Sequence, residues 1–309
     1  MRQVMRTLGI ALLALQASAT LANTVTVVTS RFGNGYDEVI ATLRQELAKT
    51  SGVKLHVVLA SPDPQTALPK LPDGTTLIVT VGTQAGQQVI ANAEQTTPVL
   101  SIFLPRSSFE GMTSARRQSR KLSAVFIDQP YQRQLNLIQA VLPSTRSVGI
   151  VTGPGNEKEV EIYRSFARSR GLSLVAEQAL RETELYPVLQ SVLRASDVLL
   201  AIPDAYVVNA TTAQNLLLTS FRVRIPVIGY SASYVKAGAL AAVFSTPSQI
   251  GLEAGQIVRQ FIQGSALPQP KFSIYFTVSI NQQVAKGLGY TVGTEAAITQ
   301  RLLQLEGVE

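Results

Sequence analysis

"IPVIGYSASYVKAGALAAVF", Ile225 to Phe244, carries a strand, a turn, a short helix and a second strand in one passage. The run Ile225–Ile228 is apolar and ends at Gly229, where the chain can turn sharply. Ser231 then opens an amphipathic stretch. Gly238 closes it, and a second apolar run reaches Phe244. A strand, a glycine turn and a helix-opening serine form the elbow that presents a hydrolase nucleophile in the pattern G-x-S-x-G. Ser233-Tyr234-Val235-Lys236 also spells the serine–lysine motif S-x-x-K. The competing reading places the same turn at the carboxyl end of a parallel strand, as one wall of a binding cleft.

The pattern repeats on both sides of this passage. Short, continuous, β-branched runs alternate with amphipathic stretches, which is the mark of parallel sheets covered on both faces. A first series predicts strands at Thr24–Ser30, Lys54–Leu59, Thr76–Val81, Pro98–Leu104 and Ser123–Ile127, with helices at Tyr36–Thr50 and Thr83–Ala93. A second series opens with a helix at Tyr131–Val141. Its strands are Ser147–Thr152, Ser173–Gln178, Asp197–Ala201, Pro226–Tyr230 and Leu240–Phe244. Its helices are Glu157–Arg170, Glu184–Ala195 and Thr211–Arg222. Two matching sets read as an α/β protein of two similar doubly wound lobes with a ligand cleft between them. The break falls at Asp128–Pro130. A long helix at Thr246–Gln263, a strand-like run at Phe272–Ser279 and helices at Asn281–Leu288 and Thr294–Leu305 follow, so the chain is expected to cross between lobes more than once.

The chain has 309 residues, 46% hydrophobic and 15% charged, a length that favours two lobes over one core. Arg2 and Arg6 precede the apolar run Leu8–Leu15 and the small residues "QASATLA", the layout of a secretory signal cleaved after Ala22 or Ala19. There is no cysteine, which excludes disulfides, thiolate metal sites and a lipidated cysteine, and suits a bacterial periplasm. With His56 the only histidine, no ordinary zinc or iron site is expected. Setting aside Arg2 and Arg6, 25 basic and 20 acidic residues leave a mild charge of +5. The densest basic run, Arg116, Arg117, Arg120 and Lys121, lacks interleaved aromatics and reads as a solvated face rather than a nucleic-acid site.

The catalytic readings of Ser231 fail on their partners. Ser233 stands where the elbow needs its second glycine, and no histidine follows the serine. His56 alternates with apolar residues in "KLHVVL" and reads as a half-buried strand residue. Ser279-Ile280-Asn281 is followed by no K-T-G, so the serine–lysine motif is incomplete. "TGPGNEK", Thr152 to Lys158, matches neither a Walker loop nor G-x-G-x-x-G. Asp37 and Glu38 sit in an early helical turn, where they complement the helix dipole. No catalysis and no cofactor are expected.

The strand-to-helix turns supply binding groups instead. The first lobe offers Ser30 and Arg31, then Gly82, Thr83 and Gln84, then Arg106. The second offers Asn156, then Asp204 and Tyr206, then Tyr230 and Ser231. Hydroxyls, amides, aromatics, two arginines and one carboxylate suit a small polar ligand held at helix N-termini. The arginines favour a carboxylate, and Asp204 would receive an amine, so replacing Asp204 should weaken binding with little loss of stability. Thr83 and Ser231 also read as helix N-caps.

Leu199 to Gly255, together with Val81-Gly82-Thr83 and "DQPYQRQLNLIQAVLPSTRSVGIV" from Asp128, resembles the ABC transporter substrate-binding proteins. The group in question includes tryptophan/tyrosine-type binding proteins. The resemblance implies a type I periplasmic-binding fold with two lobes, three crossings and a ligand between them. With the signal read at 1–22, this gives a first lobe of 23–127 plus 246–270, and a second of 128–245 plus 271–309. It points to Gly82, Thr83, Asn156 and Asp204 as contacts. The first-lobe turns "RFGNGYDEV" and "LPRSSFEGM" depart from the amino-acid-binding members. The implied partners are a small-molecule ligand and a membrane permease, with a membrane sensor as the alternative receiver.

Overall fold

The computed structural model describes residues 23–307 apart from 64, 65, 67, 69, 93–95, 115–120, 205 and 208–211. The expected signal segment and Arg116, Arg117 and Arg120 of the basic run lie outside the described residues. The first sheet contains β1 (Asn23–Thr29), β2 (Val53–Leu59), β3 (Thr75–Val81), β4 (Val99–Leu104) and β5 (Leu122–Phe126). They run parallel in the order β2-β1-β3-β4-β5. The second sheet repeats that order with β6 (Ser147–Thr152), β7 (Ser173–Gln178), β8 (Val198–Leu200), β9 (Val227–Gly229) and β10 (Ala241–Phe244). Each is doubly wound, with apolar clusters on its two faces.

Helices α1 (Tyr36–Leu47), α2 (Thr83–Ala91) and α3 (Arg106–Thr113) connect strands of the first sheet. Helices α4 (Tyr131–Val141), α5 (Glu157–Arg168), α6 (Leu185–Arg194), α7 (Thr212–Arg222) and α8 (Ala232–Ala237) serve the second. After β10 the chain returns to the first lobe as α9 (Pro247–Ile262), which lies against α1. Two glycines make that approach possible. A Cβ at Gly251 would lie 2.5 Å from the Val39 carbonyl oxygen, and one at Gly255 would lie 2.5 Å from Glu46 Cβ. Glu46, buried between these helices, pairs with Lys49 and with Arg259 of α9. The Lys49 hydrogen bond is the main force that holds its carboxyl below the usual range.

The strand-like run at Phe272–Ser279 proves to be two strands on different sheets. Lys271–Phe272 (β11) extends the first sheet beside β5, and Thr277–Ile280 (β12) pairs antiparallel with β10 of the second. The last crossing therefore occupies residues 273–276, two residues beyond the boundary expected at 271. Phe272 stays with the first lobe because its ring packs edge-on against Phe126, centroids 5.6 Å apart. The other crossings are residues 127–130 and Ser245–Thr246. Helices α10 (Gln282–Leu288) and α11 (Glu295–Leu305) close the second lobe. His56 is exposed rather than half-buried, because β2 is an edge strand.

Candidate ligand cleft

Carboxyl ends of strands from both sheets meet at the crossings, and a cavity of about 540 Å3 opens between the lobes there. Glu38, Phe103 and Pro105 line it from the first lobe. Tyr230, Ser231, Ala232, Ser233 and Phe244 line it from the second, and Ile127–Gln129 and Ser245–Thr246 form its base. The volume falls in the range of small-molecule sites, and the walls are mostly apolar.

Phe103 is placed by a distortion of β4. The pairing of β4 with β5 shifts register between Ile102 and Leu104, and Phe103 between them has φ 57°. A left-handed backbone is costly for a bulky side chain, by about 1 kcal/mol or more. Such a bulge re-aims a side chain that a regular strand would bury. The Phe103 ring reaches the cavity and meets Tyr36 edge-on at 5.1 Å. Opposite it, Tyr230 lies 5.3 Å from Tyr234.

Beside the cavity is a recess of about 120 Å3 that shares Pro105, Asp128, Gln129, Gln134 and Pro203 with it. Arg106, Ser107, Tyr131, Glu159, Tyr163 and Phe272 complete its lining. Arg106 opens α3, and its backbone N–H donates to the Asp128 carboxylate. Its Nη2 donates to Tyr131 Oη at 2.8 Å, and the guanidinium lies 5.3 Å from the Tyr131 ring centroid. Burial pushes the Asp128 carboxyl up. Burial, then the Asp128 charge, does the same to Glu159. Burial also moves Tyr131 up to about 12, and Tyr163 donates to Gln134 Oε1 at 2.8 Å. The recess thus holds one arginine against two carboxylates whose charged forms are poorly solvated.

Three of the sequence-predicted residues meet here: Tyr230 and Ser231 in the cavity, and Arg106 in the recess. Ser231 also caps α8, accepting from Tyr234 N at 3.2 Å, and its Oγ lies 2.9 Å from Ser233 Oγ. The other eight line neither space. Ser30 Oγ accepts from Ala85 N at 2.9 Å, so it is Ser30, across the turn, that satisfies the start of α2. Thr83, expected as the cap, is the first helical residue instead, behind Gly82 at φ 90°. A Cβ at Gly82 would lie 2.6 Å from Ser30 Oγ. Gln84 Nε2 donates to the Ser61 carbonyl, and the Arg31 guanidinium lies 5.0 Å from the Tyr36 ring centroid. Asn156 Nδ2 donates to Asp204 Oδ2 at 2.9 Å, and Tyr206 packs where a Cβ on Gly153 would fall. Asp204 is buried and also accepts from the backbone N–H groups of Gly153, Tyr206 and Val207. It builds the wall behind the cleft.

Reading by turns missed Phe103, Asp128, Gln134, Glu159 and Phe244. Asp128 follows β5 as directly as Arg106 follows β4, and that position was its available signal. Phe103 was hidden inside an apolar strand run. Among the described residues no group of acidic and histidine side chains is placed to hold a metal ion, and no helix is long and apolar enough to cross a membrane.

The family described as ABC transporter substrate binding protein matches residues 38–300. The chain belongs to this family. The comparison with curated proteins returns no match. Among solved structures, a substrate-binding protein with adhesive properties from Clostridium difficile, in its ligand-free open form, is similar at a TM-score of 0.71 and 17% identity, covering 88% of this chain and 96% of that one. An ABC domain from Streptococcus pneumonia in complex with L-Trp gives 0.60 and 19%, covering 90% and 97%. A conserved domain protein from Vibrio cholerae gives 0.60 and 20%, covering 91% and 98%. These likenesses establish the fold as the two-lobed type I periplasmic-binding architecture. As a member of the family, the protein is a substrate-binding component that takes a small ligand and works with an ABC transporter permease.

Proposed function

We propose that the protein is an exported, non-enzymatic solute receptor that holds a small solute with charged and apolar parts by closing its lobes. The observation that carries this reading is the joined pair of spaces at the crossings. An apolar cavity walled by Phe103, Tyr230 and Phe244 opens onto a recess holding Arg106, Asp128 and Glu159. An amino acid or another small carboxylate suits the pair: a charged end for the recess, a body for the cavity. The solute favours closure only if it touches both lobes, since a ligand shifts a conformational equilibrium by its differential affinity. Closure draws together the turns that carry Ser30, Arg31, Gly82, Thr83 and Gln84 on one lobe and Asn156, Asp204 and Tyr206 on the other. The closed form is then read by a membrane permease, after export directed by residues 1–22 to the periplasm. Ser231 serves as a helix cap and cleft wall, and its hydroxyl meets a second serine rather than a base.

Mass spectrometry of the small molecule that co-purifies with the protein tests the reading, together with thermal stabilisation by amino acids, organic acids and small peptides. A solute that raises the melting temperature is expected. No stabilisation across that library, with nothing co-purifying, would overturn the proposal.

A further inference from the structure

The three crossings are joined by buried polar side chains. Gln129 of the first crossing donates from Nε2 to Ser245 Oγ of the second at 2.8 Å. Ser245 Oγ donates in turn to the Tyr275 carbonyl of the third at 2.7 Å. The other end of Gln129 is held by Arg133, on the first turn of α4: Nη1 donates to Gln129 Oε1 at 2.9 Å. The same Nη1 lies 3.3 Å from the Ser273 carbonyl oxygen, and the guanidinium sits 4.1 Å from the Phe276 ring centroid. Arg133 therefore grips the first and third crossings from the second lobe. Glu253 of α9 grips the third from the first lobe. Its carboxylate accepts from Ser273 Oγ at 2.6 Å and from Ile274 N at 3.1 Å.

One partner of Arg133 lies outside this set. Its Nε and Nη2 donate to the two carboxylate oxygens of Glu306, both at 2.7 Å. Glu306 is the residue that ends α11, and α11 packs on α4. The pair is well shielded, with side-chain exposures of 7% for Arg133 and 17% for Glu306. A bidentate pair fixes the plane of a guanidinium as well as its position. With that plane fixed, Nη1 points at Gln129 and Ser273. The end of the chain thus orients the arginine that holds the crossings.

We propose that Glu306, through Arg133, is a positioning residue for lobe closure, keeping the three crossings in register so that the lobes turn about one defined axis. The proposal rests on the closure reading above, and it deepens it by naming what sets the hinge. Without the carboxylate, Arg133 loses its fixed plane and the crossings move more independently. The spread of lobe orientations then widens.

The chain has no cysteine, so paired spin labels can be placed without background. Gln87→Cys on α2 and Ser165→Cys on α5 put one label on each lobe, both at exposed helical positions. Double electron–electron resonance on the unliganded protein reads the inter-lobe distance distribution. Glu306→Gln is expected to widen it about twofold, and Glu306→Asp, which keeps the charge, to restore part of the wild-type width. A width unchanged in Glu306→Gln overturns the proposal, whether or not the melting temperature falls, because a purely structural pair would lower stability without altering lobe geometry. The closure reading is judged apart from this, on the wild type. Its distance must shorten when the co-purifying solute is added back to protein stripped by unfolding and refolding.

Discussion

Asp204→Ala should cost stability far more than its place at a cleft turn suggests. Asp204 is 7% exposed, and each carboxylate oxygen accepts twice. Oδ2 takes Gly153 N at 2.7 Å and Asn156 Nδ2 at 2.9 Å, while Oδ1 takes Tyr206 N at 2.8 Å and Val207 N at 3.2 Å. Gly153 and Val207 are buried, so alanine leaves their two N–H groups without a partner and away from water. A buried orphan donor costs about 1–3 kcal/mol, and the loss of two charge-assisted bonds nearer to solvent adds to it, so about 4 kcal/mol is expected in all. Asp204→Asn keeps one acceptor oxygen and should lose about half of that. Urea unfolding of the empty protein is the assay. At a slope of about 3 kcal/mol per M the alanine variant's midpoint falls by more than about 1 M, with the asparagine variant between it and wild type. A shift below about 0.3 M for alanine would refute the assignment of Asp204 to the wall. If solute binding were lost at that unchanged midpoint, Asp204 would be a direct contact, as its position in the sequence first suggests.

Other perturbations probe the cleft and the frame. Burial raises the Glu159 carboxyl, so its charge burdens the folded state above that raised value and not below the ordinary carboxylate range. Glu159→Gln should therefore melt higher than wild type at neutral pH, with the gap closing as the solution is acidified. A gap that is constant with pH would remove the burial argument. Phe103→Gly relieves a left-handed backbone at φ 57° and gives up the ring contact with Tyr36. The ring also packs on the first-lobe core, so the loss outweighs the relief and stability falls by about 1–3 kcal/mol, while affinity for the co-purifying solute, read by calorimetry, falls about tenfold. Gly251→Ala drives a methyl to 2.5 Å from the Val39 carbonyl and should destabilise the first lobe by about 1–3 kcal/mol in the same urea assay.

The architecture was legible because continuous β-branched runs, buried on both faces, alternate with amphipathic helical stretches through most of both lobes. Ser147–Thr152, Ser173–Gln178 and Tyr131–Val141 fall where the apolar pattern puts them. Legibility ended where the pattern carries no tertiary information. The run Phe272–Ser279 is one apolar stretch in sequence, yet it pairs with two different sheets. Which edge each half joins depends on Phe126 and β10, both distant in the chain. Helix α3 was missed for a related reason: Arg106–Thr113 is short and polar, and its N-terminus is held by Asp128 rather than by a capping residue of its own.

The site was half legible, and the reason is geometric. Every strand-to-helix turn at the carboxyl end of a parallel sheet is an equally good sequence candidate, because each exposes helix N-termini and short polar side chains. What separates them is distance from the crossings, and the order β2-β1-β3-β4-β5 decides that. Turns after β4, β5, β9 and β10 lie beside the crossings and line the cavity and its recess. The polar groups of the turns after β1, β3, β6 and β8 are already bonded within the protein, Ser30 to Ala85, Gln84 to Ser61, Asp204 to Gly153 and Asn156, and the β8 turn reaches the two spaces through Pro203 and not through these groups. Ser231 shows why motif reading alone misleads here. Its turn does face the ligand space, as a nucleophile's would, but its hydroxyl is committed to Tyr234 N and Ser233. The strained residue of the cleft is Phe103, across from it. Strain of that kind persists only where surrounding packing holds it, and here it delivers an aromatic wall that a regular strand would have buried. A serine that caps and a phenylalanine that is forced outward are what a receptor needs from two facing lobes: fixed surfaces for a solute to bridge.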